Sequence, residues 1–368
     1  MLRLVKAWQT ELGDAYVLGL VRMLLGLLIF WQTLGGAREL LSVGYFGDAF
    51  HLPFVPEGWV ASRLVYTAIL AAMLVFAALA TVGHWGRVAL GASALLGIYV
   101  LLCDRLQFHH NRYSLFLFAG ILALSPCDRS FLILGGAETA AARIAPLWAQ
   151  RLAQAQLSMI YLASGCGKFS DDDWRDGLVL GDRLARHAQE AIDKGIPHAL
   201  VEWLASPATA SALAKLAIAT ELFLAVGLWM RRTRVYALWW GVMFHLAIEL
   251  TSHVELFTWL TLTIYALFAT PDVHARKLFF DPSRTKGVVY ARLVRLFDWL
   301  ARFEVEPWQP DRLKTGHSLV VVRRDGTRAT GIRAFAMIAR CVPILFPLWA
   351  PIAFVASFTR AGEASPRA

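Results

Sequence analysis

The segment YLASGCGKFSDDDWRDG, residues 161–177, sets a lone lysine, Lys168, between a run of small residues and three consecutive aspartates. Trp174 and Gly177 close it, and apolar chain runs into it from the N-terminal side. Lys168 therefore stands where a hydrophobic helix meets water, and two chemistries fit that position. A lysine at the end of a membrane span anchors its ammonium among headgroups while its stem lies along apolar surface. Ala163, Ser164, Gly165 and Gly167 then form a helix-packing face. A desolvated lysine amine at the mouth of an apolar cavity is instead a general base. Glycines beside it admit a second helix or a flat ligand against the backbone. Spacing alone fits both.

Other chemistry-bearing residues lie in the apolar run VMFHLAIEL, where His245 and Glu249 are four apart and share one helical face. They form either a buried polar pair or a pocket wall that orients a substrate carboxylate. The HxxxE spacing suits two metal ligands, but no third is evident, and no metal is expected. His109, His110, Asn111 and Arg112 form a polar rim at the end of another apolar run. Such a rim attracts an acidic peptide or a quinone head, or anchors in headgroups.

The elements that must position these groups are membrane spans. Hydrophobic residues make up 57% of the 368 and mean hydropathy is +0.51, well above soluble domains. The net charge of +9 is dispersed between apolar blocks rather than gathered in an aromatic-interleaved patch, which excludes a nucleic-acid binder. The four cysteines contain no CxxC, so no disulfide framework is expected. The first apolar run, near Tyr16, is long enough to span and lacks a cleavage site.

Eight spans are expected, near 16–36, 60–82, 86–103, 113–126, 145–166, 209–230, 235–252 and 255–270. The fifth carries Arg151, Gln154 and Gln156 toward a protein interior. The cluster RRTR at 231–234 assigns that loop to the cytoplasm, and with it Arg3, Lys6, Arg87, Arg129, Arg143 and the chain beyond 271. The loop 167–207, with eight acids and five bases, then faces outward. No inverted repeat suggests a transporter.

Beyond Pro271 the pattern changes to a small α/β domain. Residues 288–303 show helical periodicity, and 319–335 reads as strand, Asp325–Gly326 turn, strand. The stretch 334–357, broken by Pro343, Pro347 and Pro351, reads as an amphipathic helix and a membrane-surface segment, with a ninth span as the lesser option.

QLSMIYLASGCGKFSDDDWRDG, 156–177, resembles the signature of vitamin K-dependent gamma-carboxylases and their bacterial relatives, the HTTM family. HHNRYSLFLFAGILALSPCDRS (109–130), ELFLAVGLWMRRTRVYALWWGVMFHLAIEL (221–250) and FTWLTLTIYALF (257–268) resemble further family stretches in the same order. The resemblance implies an all-α polytopic membrane domain over 1–272, in the bacterial inner membrane with both termini cytoplasmic. It also implies the family's chemistry: reduced vitamin K, O2 and CO2 carboxylate peptide glutamates, begun by a lysine that deprotonates the hydroquinone. Lys168 occupies that lysine's position, with His245, Glu249, Asn111, Arg112, His110, Tyr161 and Trp174 as cavity candidates. This chain has Gly167–Lys168 where animal carboxylases have two lysines, and Asn111–Arg112 where they have asparagine–histidine.

FFDPSRTKGVVYARLVRLFDWL, 279–300, resembles DCC-type thioredoxin-like proteins in its framing Asp281 and Asp298. This implies a thioredoxin-like domain over 273–345, followed by a membrane-surface segment and tail over 346–368. Arg284 and Gly287 stand where that family has its cysteines, so thiol exchange is not expected. Two functions follow: a carboxylase-like enzyme acting on a quinone or a secreted peptide in the bilayer, or a non-enzymatic accessory for maturation or export of a secreted peptide.

Overall fold

The computed structural model describes residues 10–43, 52, 55–103, 108–132, 141–193, 195–252, 256–269, 273–308 and 318–359. The chain forms two compact units, Met1–Ala269 and Thr270–Ala368.

In the first unit, long stretches of Leu, Ala, Val and Gly become helices because only a helix satisfies its own backbone away from water. They are α1 (Tyr16–Val43), α2 (Arg63–Val82), α3 (Gly86–Cys103), α4 (His110–Ala123) and α5 (Trp148–Ser170). After four short helices come α10 (Pro207–Gly227), α11 (Arg234–Ser252) and α12 (Phe257–Tyr265). The short ones are α6 (Asp172–Arg175), α7 (Leu178–Arg186), α8 (Ala188–Asp193) and α9 (His198–Ala205). The segment 167–207, read as a loop, is thus largely helical. Tyr16–Ala37, Arg63–Val82, Gly86–Cys103 and Pro207–Gly227 have the length and hydropathy to cross a membrane. The other expected spans fall on α4, α5, α11 and α12, which do not reach that length and composition.

One end of this unit is tied by its cations. β1 (Leu12–Asp14) pairs antiparallel with β2 (Ile144–Pro146), a two-strand element too short to show a period in the sequence. Arg143 bonds Asp14 at 3.0 Å, Arg151 pairs with Glu11, and Arg129 donates to the carbonyls of Ala142 and Ile144. Arg22, fully buried within α1, reaches across to the turn after α4. Its guanidinium donates to the carbonyls of Cys127 (3.0 Å), Ser130 (3.2 Å) and Phe131 (2.5 Å). The Ser130 hydroxyl returns a bond to the Tyr16 carbonyl. No helix satisfies those three carbonyls, so the arginine does.

The second unit begins with β3 (Arg276–Phe280), α13 (Thr285–Phe297) and β4 (Phe303–Pro307), the two strands parallel. β5 (Leu319–Val322) and β6 (Arg328–Thr330) form the expected hairpin, giving the order β4-β3-β5-β6. Asp325 holds the turn by accepting from the Thr327 amide at 3.0 Å, and Gly326 takes the positive φ it needs. α14 (Gly331–Cys341), a 3-10 turn at Pro343–Leu348 and α15 (Trp349–Ser357) follow. Leu278, Ala291, Val294, Val321 and Ile338 form the core. Asp298 accepts from the Phe303 amide at 2.8 Å, joining α13 to β4, and burial pushes its carboxyl above the usual range. A Cβ on Gly287 would lie 2.7 Å from the Asp281 carbonyl oxygen and 2.9 Å from that of Ser318. The backbone there leaves no room for a cysteine side chain.

Arg22→Met should destabilise the first unit by roughly 2 kcal/mol or more, since it strands two buried carbonyls and one part-buried one, at about 1–3 kcal/mol for each buried group. Arg22→Lys should recover part of the loss, a point charge reaching fewer acceptors than a fork. Thermal unfolding of purified protein in one detergent checks both, and a Met variant melting with wild type would refute the arginine's role.

Candidate functional site

The site is built on one face of α5. Tyr161, Ser164, Gly165 and Lys168 recur at helical spacing, so a single stripe presents a phenol, a hydroxyl, a gap and an amine. Gly165 lets α10 approach, since a Cβ there would come within 2.9 Å of Leu222 and 3.4 Å of the Glu221 Cβ. That approach delivers Glu221 to Lys168. The two form an ion pair, and the Lys168 ammonium also donates to the Ser164 hydroxyl at 2.9 Å. Ser164 in turn donates to Glu221 Oε1 at 3.2 Å. The Lys168 and Glu221 side chains are 20% and 7% exposed, so the pair sits at the edge of the apolar bundle. The second carboxylate oxygen, Oε2, is buried without a hydrogen-bond partner.

The acidic run beyond Lys168 starts a helix. Asp171 caps α6 by accepting from the amides of Asp173 (3.0 Å) and Trp174 (3.4 Å), and Asp172 pairs with Arg175. This brings the Trp174 ring against Lys168, with Nζ 5.1 Å from its centroid, and the Arg183 guanidinium lies 5.4 Å from the same ring. Gly177 has φ +83°, and a Cβ would come 2.4 Å from the Ser211 amide nitrogen. The Trp174-x-x-Gly177 spacing thus serves a left-handed turn against the first turns of α10.

Deeper in the bundle, the Tyr161 hydroxyl bridges two helices. It lies 2.7 Å from His245 Nε2 on α11 and 2.5 Å from the Tyr265 hydroxyl at the end of α12. All three side chains are buried, and the chain of bonds is satisfied with the protons running in either direction. His245 Nδ1 is buried without a hydrogen-bond partner. Phe257 closes edge-on over the imidazole at 5.5 Å. The two networks stand on the same helix, Tyr161 lying two turns before Lys168.

Lys168, Tyr161, Trp174 and His245 are therefore brought together. Glu249 lies one turn from His245 and half-buried, but Nε2 bonds Tyr161 and Nδ1 makes no hydrogen bond, so no hydrogen bond joins His245 to Glu249. Asn111, Arg112 and His110 belong to the first turn of α4, a separate group. There His109 accepts from the Asn111 backbone amide at 3.3 Å, and its ring lies tilted against that of His110 at 4.2 Å. The Asn111 side-chain amide is 1% exposed with both ends unpartnered. The expected packing face of small residues narrows to Gly165 and Ser164, because Ala163 and Gly167 face outward. Sequence reasoning missed Glu221, Ser164 and Tyr265 as partners. Glutamate near the middle of the apolar run Leu216–Val226 was the available signal, since an intramembrane acid needs a counter-charge.

At the other end of α5, Gln150 and Gln154 both donate to the Leu267 carbonyl at 2.7 Å, and Arg151 donates to Gln154. Seventeen residues separate Arg151 from Lys168. At 1.5 Å per residue the amine lies about 25 Å from the basic end. Among the described residues no cluster of His, Cys, Asp and Glu is arranged to hold a metal ion.

Tyr161→Phe should lower stability by about 0.5–2 kcal/mol for each interhelical bond lost. Gly241→Ala should cost about 1–3 kcal/mol, because its Cβ would sit 2.2 Å from the Tyr265 hydroxyl. Calorimetry in one detergent measures both, and a Gly241→Ala protein as stable as wild type would remove Tyr265 from this position.

Comparison with known proteins bears on the same region. No curated protein and no solved structure matches the chain. A family model described as HTTM domain matches residues 11–273, which holds every residue of the site. The chain belongs to the HTTM-domain family, membrane proteins of the vitamin K-dependent carboxylase-like class.

Proposed function

We propose that this is a bacterial inner-membrane protein that acts on a reduced quinone or a secreted peptide beside Lys168, with the lysine as base. The observation that carries this reading is the Lys168–Glu221–Ser164 network, a charged cluster at the edge of an apolar bundle, next to the buried Tyr161–His245–Tyr265 chain. A base must first dispose of its own proton, and the Glu221 carboxylate is the built-in acceptor. Once Nζ has passed a proton to Glu221, its lone pair can take one from a bound acid. Tyr161 and His245 offer a hydroxyl and an imidazole for orientation, and Trp174 lays a flat ring over the amine.

A quinone fits the polar atoms left without partners. Glu221 Oε2 and His245 Nδ1 are buried and unsatisfied, and each is an unused hydrogen-bonding position for a ligand hydroxyl or carbonyl. When bound, a reduced quinone supplies the acidic hydroxyl and the reducing electrons. In this reading all eight apolar segments cross the bilayer, both termini are cytoplasmic and Lys168 faces outward. The gathering of Glu11, Asp14, Arg129, Arg143 and Arg151 at the far end of α5 supports one common side for those loops. The second unit is a degenerate DCC-type thioredoxin-like domain. Its β-α-β-β-β-α order supports that reading, with Arg284 and Gly287 in place of the cysteines.

The opposing reading, a non-enzymatic accessory, is favoured by how fully Lys168 is engaged by Glu221, Ser164 and Trp174. Binding of menaquinol and of vitamin K hydroquinone to purified protein separates the two. Saturable binding that falls about tenfold or more in Lys168→Ala and in Glu221→Gln supports the enzyme. Absence of binding to well-folded wild type overturns it and leaves the accessory role.

A further inference from the structure

We infer that the second unit docks on an anionic lipid surface through α15, with Arg333 and Arg340 of α14 as its lipid-headgroup contacts. Residues 270–368 hold sixteen Lys and Arg against eight Asp and Glu, a balance of +8 out of the +9 of the whole chain. The membrane unit is therefore nearly neutral, and the cationic character of the protein lies in this unit. The charge accompanies an apolar face. In α15 the residues Trp349 and Ala356 pack inward, while Pro351 and Val355, with the flanking Leu348 and Phe358 at helical spacing on the other side, are exposed. Phe354 beside them is 67% exposed and Phe358 73%. A water-facing helix has no use for that stripe.

The arginines are placed against the same element. Arg333 and Arg340 lie seven apart on one face of α14. Arg340 lies over the Trp349 ring, its guanidinium carbon 5.6 Å from the centroid, and Arg333 donates to the Thr359 carbonyl at 2.6 Å. Cations thus stand at both ends of the apolar helix, the pattern of a segment lying in the interface of a bilayer carrying negative headgroups. A second copy of the chain suits the face poorly, because two units of +8 would meet with like charge. The bilayer is also held close, since the same chain carries spanning helices and the docking step is intramolecular.

The test uses the full-length protein in nanodiscs. A nitroxide is placed at Phe354→Cys in a Cys166→Ser background, the other three cysteines being buried. Its accessibility to oxygen and to a nickel chelate is compared in phosphatidylglycerol-rich and phosphatidylcholine-only discs. Docking predicts a label open to oxygen and shielded from nickel in the anionic discs, with shielding reduced in the zwitterionic ones. Arg333→Gln and Arg340→Gln should each lower the docked-to-undocked ratio by about fivefold. A nickel-accessible label in both lipids overturns the proposal. So does shielding from both reagents, which would mean protein covers the face, and so does shielding indifferent to lipid charge.

Discussion

A charged or polar group carried into an apolar bundle must find its counter-group inside the protein, because the surroundings offer none. α5 shows the consequence along its whole length. Five of its polar residues are answered from other elements: Arg151 by Glu11, Gln150 and Gln154 by the Leu267 carbonyl, Tyr161 by His245 and Tyr265, Lys168 by Glu221. Arg22 does the same for α1 through three carbonyls of a distant turn. These bonds orient apolar helices whose greasy faces would otherwise slide, since lipid-like surfaces alone define no single register.

The same constraint makes the Lys168 region chemically suggestive. Satisfying an amine with a carboxylate, and a phenol with an imidazole, produces two short proton-bearing networks near each other at the end of one helix. Neither is completely satisfied, for one carboxylate oxygen and one imidazole nitrogen remain buried without partners. A purely structural pair would gain by closing those positions, and a ligand site has reason to keep them open.

The second unit follows a different rule. Its four-stranded sheet and two flanking helices bury an ordinary core, and its sequence holds nearly all the net charge of the chain. Gly287 is packed against the backbone oxygens of Asp281 and Ser318. Any side chain there would require moving the strand connections as well.

Much of this was legible in the sequence because hydrophobic runs, helix starts and turn residues act locally. The apolar stretches predicted where helices form, Asp325–Gly326 marked its hairpin, and Lys168 with Tyr161, Trp174 and His245 was singled out by residue type and by family motif. Residues far apart along the chain escaped it. Glu221 is 53 positions from Lys168 and Tyr265 is 104 from Tyr161, separations at which spacing carries no information about contact. Glu249 illustrates the converse, a neighbour at ideal helical spacing that is not the partner of His245. Sequence by itself determined which segments form apolar helices and which residue types were available for chemistry. The pairing of those residues was decided only by tertiary structure, because the approach of α10 and α11 to α5 sets which buried polar atoms meet.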